Sequence, residues 1–157
     1  MNRTNLFDKI IATGFGSGYC PIAPGTAGTL VAALIWTMLW YFLSPDALLW
    51  TTAILIALFT LLGVRTAGVM ESLWGKDPAR VVVDEMVGVW IPLLAAGDGQ
   101  WYHLAVAVVA FRLFDIFKPL GIRRLERIGG GWGIMLDDIA AGLYSLIIVG
   151  VLRWITG

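Results

Sequence analysis

Two uninterrupted apolar runs dominate the first half of the chain. Residues 27–43 and 47–64 contain no charged side chain. Both lengths lie near the lower limit of about 17 to 25 residues for a membrane-spanning helix. Ser44, Pro45 and Asp46 separate the runs, and this composition is typical of a tight turn. The pattern therefore predicts two antiparallel transmembrane helices joined as a hairpin.

Three further apolar segments follow in the second half, and the first two are short and interrupted by charge. Each is bounded by turn residues or proline, so each is predicted to be a helix. We expect an all-α, multi-pass integral membrane bundle of about four to five short apolar helices, with a polar site at the cytoplasmic side. The three segments are residues 81–97, about 102–117 and about 139–155.

The composition agrees with a membrane protein and limits its partners. Of the 157 residues, 59% are hydrophobic and 14% are charged, whereas a soluble globular chain carries about 25% charged residues. The length predicts one domain, covering residues 1–157. Eleven basic residues balance eleven acidic ones, so no basic excess indicates nucleic acid as a partner. The oligomeric state is left open by the sequence.

The distribution of Lys and Arg predicts how the chain is oriented. Basic residues collect at the N-terminus and in residues 65–80 and 112–127, whereas the predicted turns at Asp46 and Asp98 have none. By the positive-inside rule, these three basic regions are cytoplasmic. The acidic residues of the later segments then fall at cytoplasmic helix ends, so one common site is geometrically feasible there.

Five acidic residues lie within or beside the apolar segments. A carboxylate near the centre of a spanning helix costs roughly 2.5 to 3.5 kcal/mol on insertion scales, so it usually has a cation or a function to offset that cost. Acidic groups that bind a hard metal, beside basic groups that bind phosphate, indicate phosphoryl chemistry at a membrane surface. The acidic residues are Asp84, Glu85, Asp115, Asp137 and Asp138, and the basic candidates are Arg80, Arg112, Lys118 and Arg123.

The scarcity of cysteine and histidine restricts the chemistry further. Cys20 and His103 are each the only residue of their type. A metal site must therefore use oxygen ligands, which suit magnesium, calcium or manganese rather than zinc. A cysteine-phosphatase loop is excluded because the sixth position after Cys20 is Thr26 instead of arginine. Metal-activated water remains as the chemistry of a phosphatase.

Structural interpretations of the same residues stay open. Asp137 and Asp138 stand just before the predicted last helix, where aspartate is a preferred N-cap. Capping explains one aspartate but not two, and the glycines of residues 129–133 form a predicted loop that could bring its backbone close to a ligand.

The other charged groups also have structural alternatives. Arg112, Asp115 and Lys118 are spaced three apart, so on a helix they form one polar stripe that could be a structural salt bridge. Asp84 and Glu85 could favour a helix N-terminus electrostatically. A glycine-rich segment at residues 14–29 could bind an anion at a helix start, re-enter the membrane surface, or only cap the first span.

Four sequence blocks resemble the phosphatidylglycerophosphatase A family of bacterial lipid phosphatases. They are GYCPIAPGTAGT at residues 18–29, VVDEMVG at 82–88, FRLFDIFKP at 111–119 and GGGWGIMLDDIAAG at 129–142. The blocks occur in family order and reach across nearly the whole chain. The resemblance is specific because none of the blocks is a generic motif.

The resemblance implies a magnesium-dependent, multi-pass enzyme of the bacterial inner membrane whose active site faces the cytoplasm. Its implied reaction is hydrolysis of phosphatidylglycerol phosphate to phosphatidylglycerol and inorganic phosphate, with a phospholipid substrate taken from the bilayer. The residue types fit such roles. The predicted metal ligands are Asp84, Asp115, Asp137 and Asp138; the catalytic residues Asp84, Glu85, Asp115 and Asp138; and the substrate-binding residues Arg80, Arg112, Lys118 and Arg123.

Two other functions use similar residues. A CDP-alcohol phosphotransferase also uses membrane-embedded aspartates and magnesium, but residues 77–80 give only a fragment of its spaced motif. A small ion or proton carrier would also place carboxylates in short helices. Its acids are expected on facing helices near mid-bilayer, whereas the acids here are predicted to cluster toward one side.

Overall fold

A computed structural model describes residues 5–97 and 99–157, apart from the side chain of Glu126. All regular secondary structure within these residues is helical, which confirms the predicted all-α class. Two short 3₁₀ helices, Ser17–Tyr19 and Ile122–Ile128, accompany the α-helices. The α-helices are α1 Leu6–Ala12, α2 Pro24–Phe42, α3 Pro45–Trp74, α4 Val83–Leu93, α5 Trp101–Phe117 and α6 Gly130–Thr156.

The predicted hairpin corresponds to α2 and α3. The Ser44 hydroxyl accepts a hydrogen bond from the backbone N–H of Ala47 at 3.4 Å, and Pro45 occupies the first helical turn, an arrangement favoured at helix starts. α3 extends to Trp74, well beyond residue 64. At 30 residues it is about 45 Å long, so it exceeds the roughly 30 Å hydrocarbon thickness. Hydropathy had identified only its apolar part.

α4 is a short helix enclosed by the other helices. Ten of its 11 residues are buried, and Glu85 is half-buried. It packs against α2, α3, α5 and most extensively α6, and the Trp90 indole N–H donates to the Ala32 carbonyl at 3.0 Å. The helix ends at Leu93 instead of continuing to 97, with Pro92 in its last turn. The backbone N–H of Val82, just before α4, donates to the Ala12 carbonyl at 2.8 Å, the kind of internal partner that a backbone group needs where water is absent.

α6 begins at Gly130, not near residue 139, and this corrects two expectations. The N-cap residue is Gly129, so neither Asp137 nor Asp138 caps the helix; both lie about two turns inside it. Gly130, Gly131 and Gly133 also lie in the helix instead of a loop, although Gly129, Gly130 and Gly133 line a small cavity beside Asp137. Gly131 lies against the Val64 carbonyl, where a Cβ atom would overlap that oxygen. Glycine therefore permits close packing of α6 on α3.

Three of the described helices are long and apolar enough to cross a membrane: α2, α3 and α6. α4 and α5 are shorter and form a second hairpin among them. α1, which the hydrophobic pattern did not predict, packs on α3; the buried carboxylate of Asp8 lies 3.7 Å from the Arg65 guanidinium.

The alternating helix directions bring several helix ends to the same end of the bundle. The starts of α2 and α4, the end of α5, and Asp137 and Asp138 about two turns into α6 all line one cavity. At the other end, His103 hydrogen-bonds Thr156 at 3.1 Å, and Arg153 donates to the Ala95 carbonyl at 3.4 Å. Residues distant in sequence therefore meet at one end.

Candidate active site

A polar cavity of about 310 Å³ opens at the end of the bundle where α2, α4 and α6 begin. All five acidic residues predicted from the sequence line it, together with two of the four predicted basic residues. The start of α2 forms part of its wall. The charged lining residues are Asp77, Asp84, Glu85, Arg112, Asp115, Lys118, Asp137 and Asp138.

Three carboxylates form the centre of this cavity. Asp84 and Glu85 come from the first turn of α4, and Asp138 comes from α6. Each offers one oxygen, and these oxygens lie within 4.8 Å of one another. Asp84 is 8% exposed and Asp138 is 2% exposed. We name these three residues the carboxylate cluster.

The carboxylate cluster fits a divalent cation. Asp84 Oδ1, Glu85 Oε2 and Asp138 Oδ2 are buried and have no hydrogen-bond partner among the described residues. Buried charges without a partner are strongly unfavourable, so a cation would satisfy these oxygens. Oxygens held around Mg²⁺ at about 2.0–2.1 Å lie at most roughly 4.2 Å from one another, close to the spacing found here. The donor set therefore suits a hard cation.

Burial disfavours ionisation of Asp84 and Glu85 when no cation is bound, and neighbouring carboxylates add to the effect. Burial raises the pKa of Glu85 to about 7, with the nearby Asp115 carboxylate adding to the increase. Burial, followed by the charges of Glu85 and Asp138, raises the pKa of Asp84 well above its usual range. A positive charge among these groups would reverse both effects.

Two ion pairs lie beside the carboxylate cluster. Arg112 pairs with Asp115 one turn along α5, and Lys118 pairs with Asp137 on α6. Lys118 is not part of a helical stripe, because α5 ends at Phe117 and Lys118 has a left-handed backbone conformation with φ 46°. Its ion pair therefore joins two helices. Arg112 Nε is buried and has no hydrogen-bond partner.

Gly25 at the start of α2 is a site residue that its glycine-rich context indicated only weakly. A Cβ atom on Gly25 would overlap Glu85 Oε1 and approach Arg112 Nη1 to 3.4 Å. The absence of a side chain thus lets the α2 backbone approach the charged groups closely. Asp77 also lines the cavity, and it was not among the predicted ligands.

Two predicted substrate-binding residues lie elsewhere. The Arg80 side chain is exposed, and its guanidinium lies 5.7 Å from the ring centre of Tyr19 and 6.0 Å from that of Trp74. Arg80 precedes α4, so it does not share a helical face with Asp84. Arg123 is exposed in the second 3₁₀ helix and is not among the residues that line the cavity.

The fold and site define a membrane-type helical protein with a buried carboxylate cluster and neighbouring cations at one end of the bundle. The sequence matches the family described as Phosphatidylglycerophosphatase A over residues 10–153. The chain belongs to the phosphatidylglycerophosphatase A family, as the sequence blocks predicted.

Relatives of this chain carry two kinds of name. It is 37% identical to phosphatidylglycerophosphatase A of Escherichia coli, with 93% of this chain and 81% of the relative covered. It is 36% identical to phosphatidylglycerophosphatase A of Haemophilus influenzae, covering 98% and 94%. It is also 55% identical, over the full length of both chains, to a Bacteroides thetaiotaomicron protein provisionally named phosphatidylinositol-3-phosphatase. No solved structure matches the chain.

Proposed function

We propose that this protein is a lipid phosphatase that hydrolyses phosphatidylglycerol phosphate to phosphatidylglycerol and inorganic phosphate. The observation that carries the proposal is the carboxylate cluster, with its unpartnered buried oxygens, beside Arg112 and Lys118 in one cavity. Membership of the phosphatidylglycerophosphatase A family supports the substrate assignment. The cavity lies at the end of an apolar bundle, where a headgroup could enter while its lipid remains in the bilayer.

The carboxylate cluster is assigned to hold Mg²⁺. Asp84 and Asp138 are the most buried members, and magnesium typically uses one or two carboxylates together with phosphate oxygens and waters. Such a cation supplies positive charge at the phosphoryl group and lowers the pKa of a water molecule. Asp115 and Asp137 border the cluster and could contribute further ligands, although each now pairs with a basic residue.

The remaining charged residues have complementary roles in the proposed reaction. Arg112 and Lys118 bind the phosphomonoester, since both line the cavity and Arg112 has a free buried donor at Nε. Their positive charge also stabilises the negative charge that develops during phosphoryl transfer. A carboxylate of the cavity that does not hold the cation, either Glu85 or a spare aspartate, would accept a proton from the attacking water. Arg80 and Arg123 are not among the residues that line the cavity, so these steps are assigned without them.

The name of the 55% identical relative suggests a second candidate substrate. Phosphatidylinositol 3-phosphate also presents a phosphomonoester on a lipid headgroup, and the charged groups of the cavity address phosphate instead of the alcohol that carries it. The two substrates can be separated by comparing kcat/KM for each at equal lipid surface concentration.

The decisive experiment measures phosphate release by the purified protein in mixed micelles containing phosphatidylglycerol phosphate and Mg²⁺. Asp138→Asn should lower kcat/KM by at least about 100-fold, the order of loss found when one electrostatic partner is removed from a catalytic site. Chelation of Mg²⁺ should abolish release.

Asp46→Asn is the matched control for this experiment. Asp46 is exposed and lies in the first turn of α3, away from the residues that line the cavity, so this variant should keep the wild-type rate. Near-normal activity in a folded Asp138→Asn protein would refute the site. If the wild-type protein released no phosphate from phosphatidylglycerol phosphate, the proposed function would be refuted.

A further inference from the structure

An apolar groove of about 590 Å³ runs along α5 on the surface of the bundle. Ala105, Val109, Leu113 and Phe117 recur every fourth position, so they form one stripe along the groove. Ile148 of α6 lies across from them. Within the described part of the chain, every residue that lines the groove is uncharged. Its volume and apolar lining are typical of a small-molecule site.

The groove and the polar cavity are lined by residues that are adjacent in the chain at the end of α5. Phe114, Phe117 and Pro119 line the groove, whereas the adjacent residues Asp115 and Lys118 line the polar cavity. The left-handed conformation of Lys118 separates the two environments at the end of α5. A single molecule with an ionic end and an apolar tail could therefore occupy both spaces at once.

The length of the groove matches one leaflet of a membrane. From Ala105 to Phe117 the helix rises about 18 Å. Half of the roughly 30 Å hydrocarbon core is about 15 Å. An acyl chain that starts at the headgroup level would extend along nearly the whole groove. A water-soluble or charged partner would leave its polar groups unsatisfied there.

We propose that this groove binds one acyl chain of the lipid substrate while the phosphomonoester occupies the polar cavity. The term substrate rests on the proposed phosphatase function. Binding of the chain orients the headgroup toward the carboxylate cluster, and the groove makes turnover depend on acyl-chain length. Burial of each CH₂ group contributes about 0.8 kcal/mol relative to water, so longer chains gain more from the groove when the lipid is presented outside a bilayer.

The first test compares Val109→Trp with Val151→Trp. Val109 lies in the groove and is 58% exposed; Val151 lies on α6 outside the groove and is 50% exposed. An exposed position tolerates tryptophan, so both variants should fold. In detergent micelles, Val109→Trp should raise KM for a dipalmitoyl substrate at least fivefold and leave kcat unchanged. It should not alter KM for a dihexanoyl substrate, and Val151→Trp should alter neither. Equal effects of the two variants would overturn the proposal.

The second test needs no turnover, so it separates this inference from the proposed function. The wild-type protein is placed in vesicles that contain phosphatidylglycerol with a diazirine group in the middle of one acyl chain, and the vesicles are illuminated. Crosslinks should concentrate at residues 105–117 and fall at least threefold in Val109→Trp but not in Val151→Trp. Such labelling in a protein without phosphatase activity would refute the function and retain the groove.

The same experiment can contradict the groove while the phosphatase function stands. Labelling spread evenly over all lipid-facing helices would show that the groove holds only bulk lipid. Protein-to-protein crosslinks through Val109→Cys, made in a Cys20→Ser background, would show that a second copy of the chain covers it. Either result, in an enzyme that still releases phosphate, overturns the proposed acyl-chain site alone.

Discussion

At the scale of single residues, the site is a set of acidic groups that the protein itself does not neutralise. Asp115 and Asp137 each have a basic partner. In contrast, one oxygen of each member of the carboxylate cluster is buried without a hydrogen bond. Charges buried without compensation destabilise a fold by several kcal/mol. Such a cluster is therefore most simply explained by a ligand that brings positive charge.

The protonation of Glu85 predicts how cation binding depends on pH. Its pKa of about 7 means that the side chain is mostly neutral at pH 6 and mostly ionised at pH 8. Cation binding requires the ionised form. The Kd for Mn²⁺, used as a probe for Mg²⁺, should thus fall about tenfold between pH 6 and pH 8 from this group alone.

Isothermal titration calorimetry in buffers of different ionisation enthalpy checks this expectation, because it also counts the protons released on binding. Glu85→Gln is the control, since it removes one titrating group and should reduce the pH dependence by the part that Glu85 contributes. Asp46→Asn should titrate like the wild type. An affinity that is constant or decreases toward pH 8 would contradict the assignment of Glu85 as a ligand.

At the scale of helices, two glycines set the distance between α4 and α6. Gly88 lies one turn after Asp84, and Gly142 lies one turn after Asp138. A Cβ atom on Gly142 would overlap the Gly88 carbonyl oxygen and come within 3.1 Å of the Ile91 side chain. This contact between Gly142 and Gly88 therefore sets the distance between α4 and α6 one turn away from the carboxylate cluster.

Gly142→Ala should therefore separate α4 from α6 and destabilise the protein. The added methyl group meets backbone, which cannot rotate away, and overpacking of this kind typically costs about 1–3 kcal/mol. Because the cluster uses both helices, the affinity for Mn²⁺ should fall as well. Thermal unfolding in detergent and the Mn²⁺ Kd measure the two effects.

Gly150→Ala is a matched control on the same helix. A Cβ atom at Gly150 would meet nothing within 4 Å, and alanine favours helix over glycine by up to about 1 kcal/mol. This variant should be as stable as the wild type or slightly more stable. If the two alanine variants behaved alike, the close approach of α4 and α6 would not be what fixes the cluster.

Hydropathy could predict the helices whose outer faces are apolar, but not the helix ends. The α2–α3 hairpin was recognisable from two uncharged runs and one turn. The start of α6 was missed because its glycines, which look like loop residues, permit helix packing. The end of α3 was missed because its last turns contain charged residues and lie beyond the apolar run. A glycine used for packing and a glycine used in a loop look the same in a single sequence.

The candidate site was easier to predict than the helix ends. Acidic residues in apolar surroundings stand out in the sequence, and all five line the cavity. Basic residues near them are less informative, because an exposed arginine is inexpensive anywhere at a membrane surface. Arg112 and Lys118 reach the cavity, whereas Arg80 lies over aromatic rings. The local backbone conformation, such as the turn at Lys118, determines whether a basic side chain reaches the cavity.

At the scale of the whole molecule, the helix directions divide the described chain into two ends with different chemistry. The carboxylate cluster and its cations occupy one end, and the loop before α2 that contains Cys20 lies beside it. Ser44, in the turn between α2 and α3, lies at the opposite end. The positive-inside rule predicts that the end with the site faces the cytoplasm. A lipid headgroup would then be hydrolysed on the cytoplasmic side of the membrane.

Cys20 permits a direct test of this orientation because it is the only cysteine in the sequence. Its side chain is half-buried, and hydrogen bonds from the backbone N–H groups of Ala23 and Ile22 lower the pKa of its thiol, which favours the reactive thiolate. In intact bacterial cells whose outer membrane has been permeabilised, a membrane-impermeant maleimide should leave Cys20 unlabelled. It should label Cys20 at least fivefold more after the inner membrane is opened.

Ser44→Cys in a Cys20→Ser background should show the reverse pattern, with full labelling before opening, because Ser44 is exposed at the other end. Labelling of Cys20 in cells with a closed inner membrane would place the site outside the cytoplasm and contradict the predicted orientation.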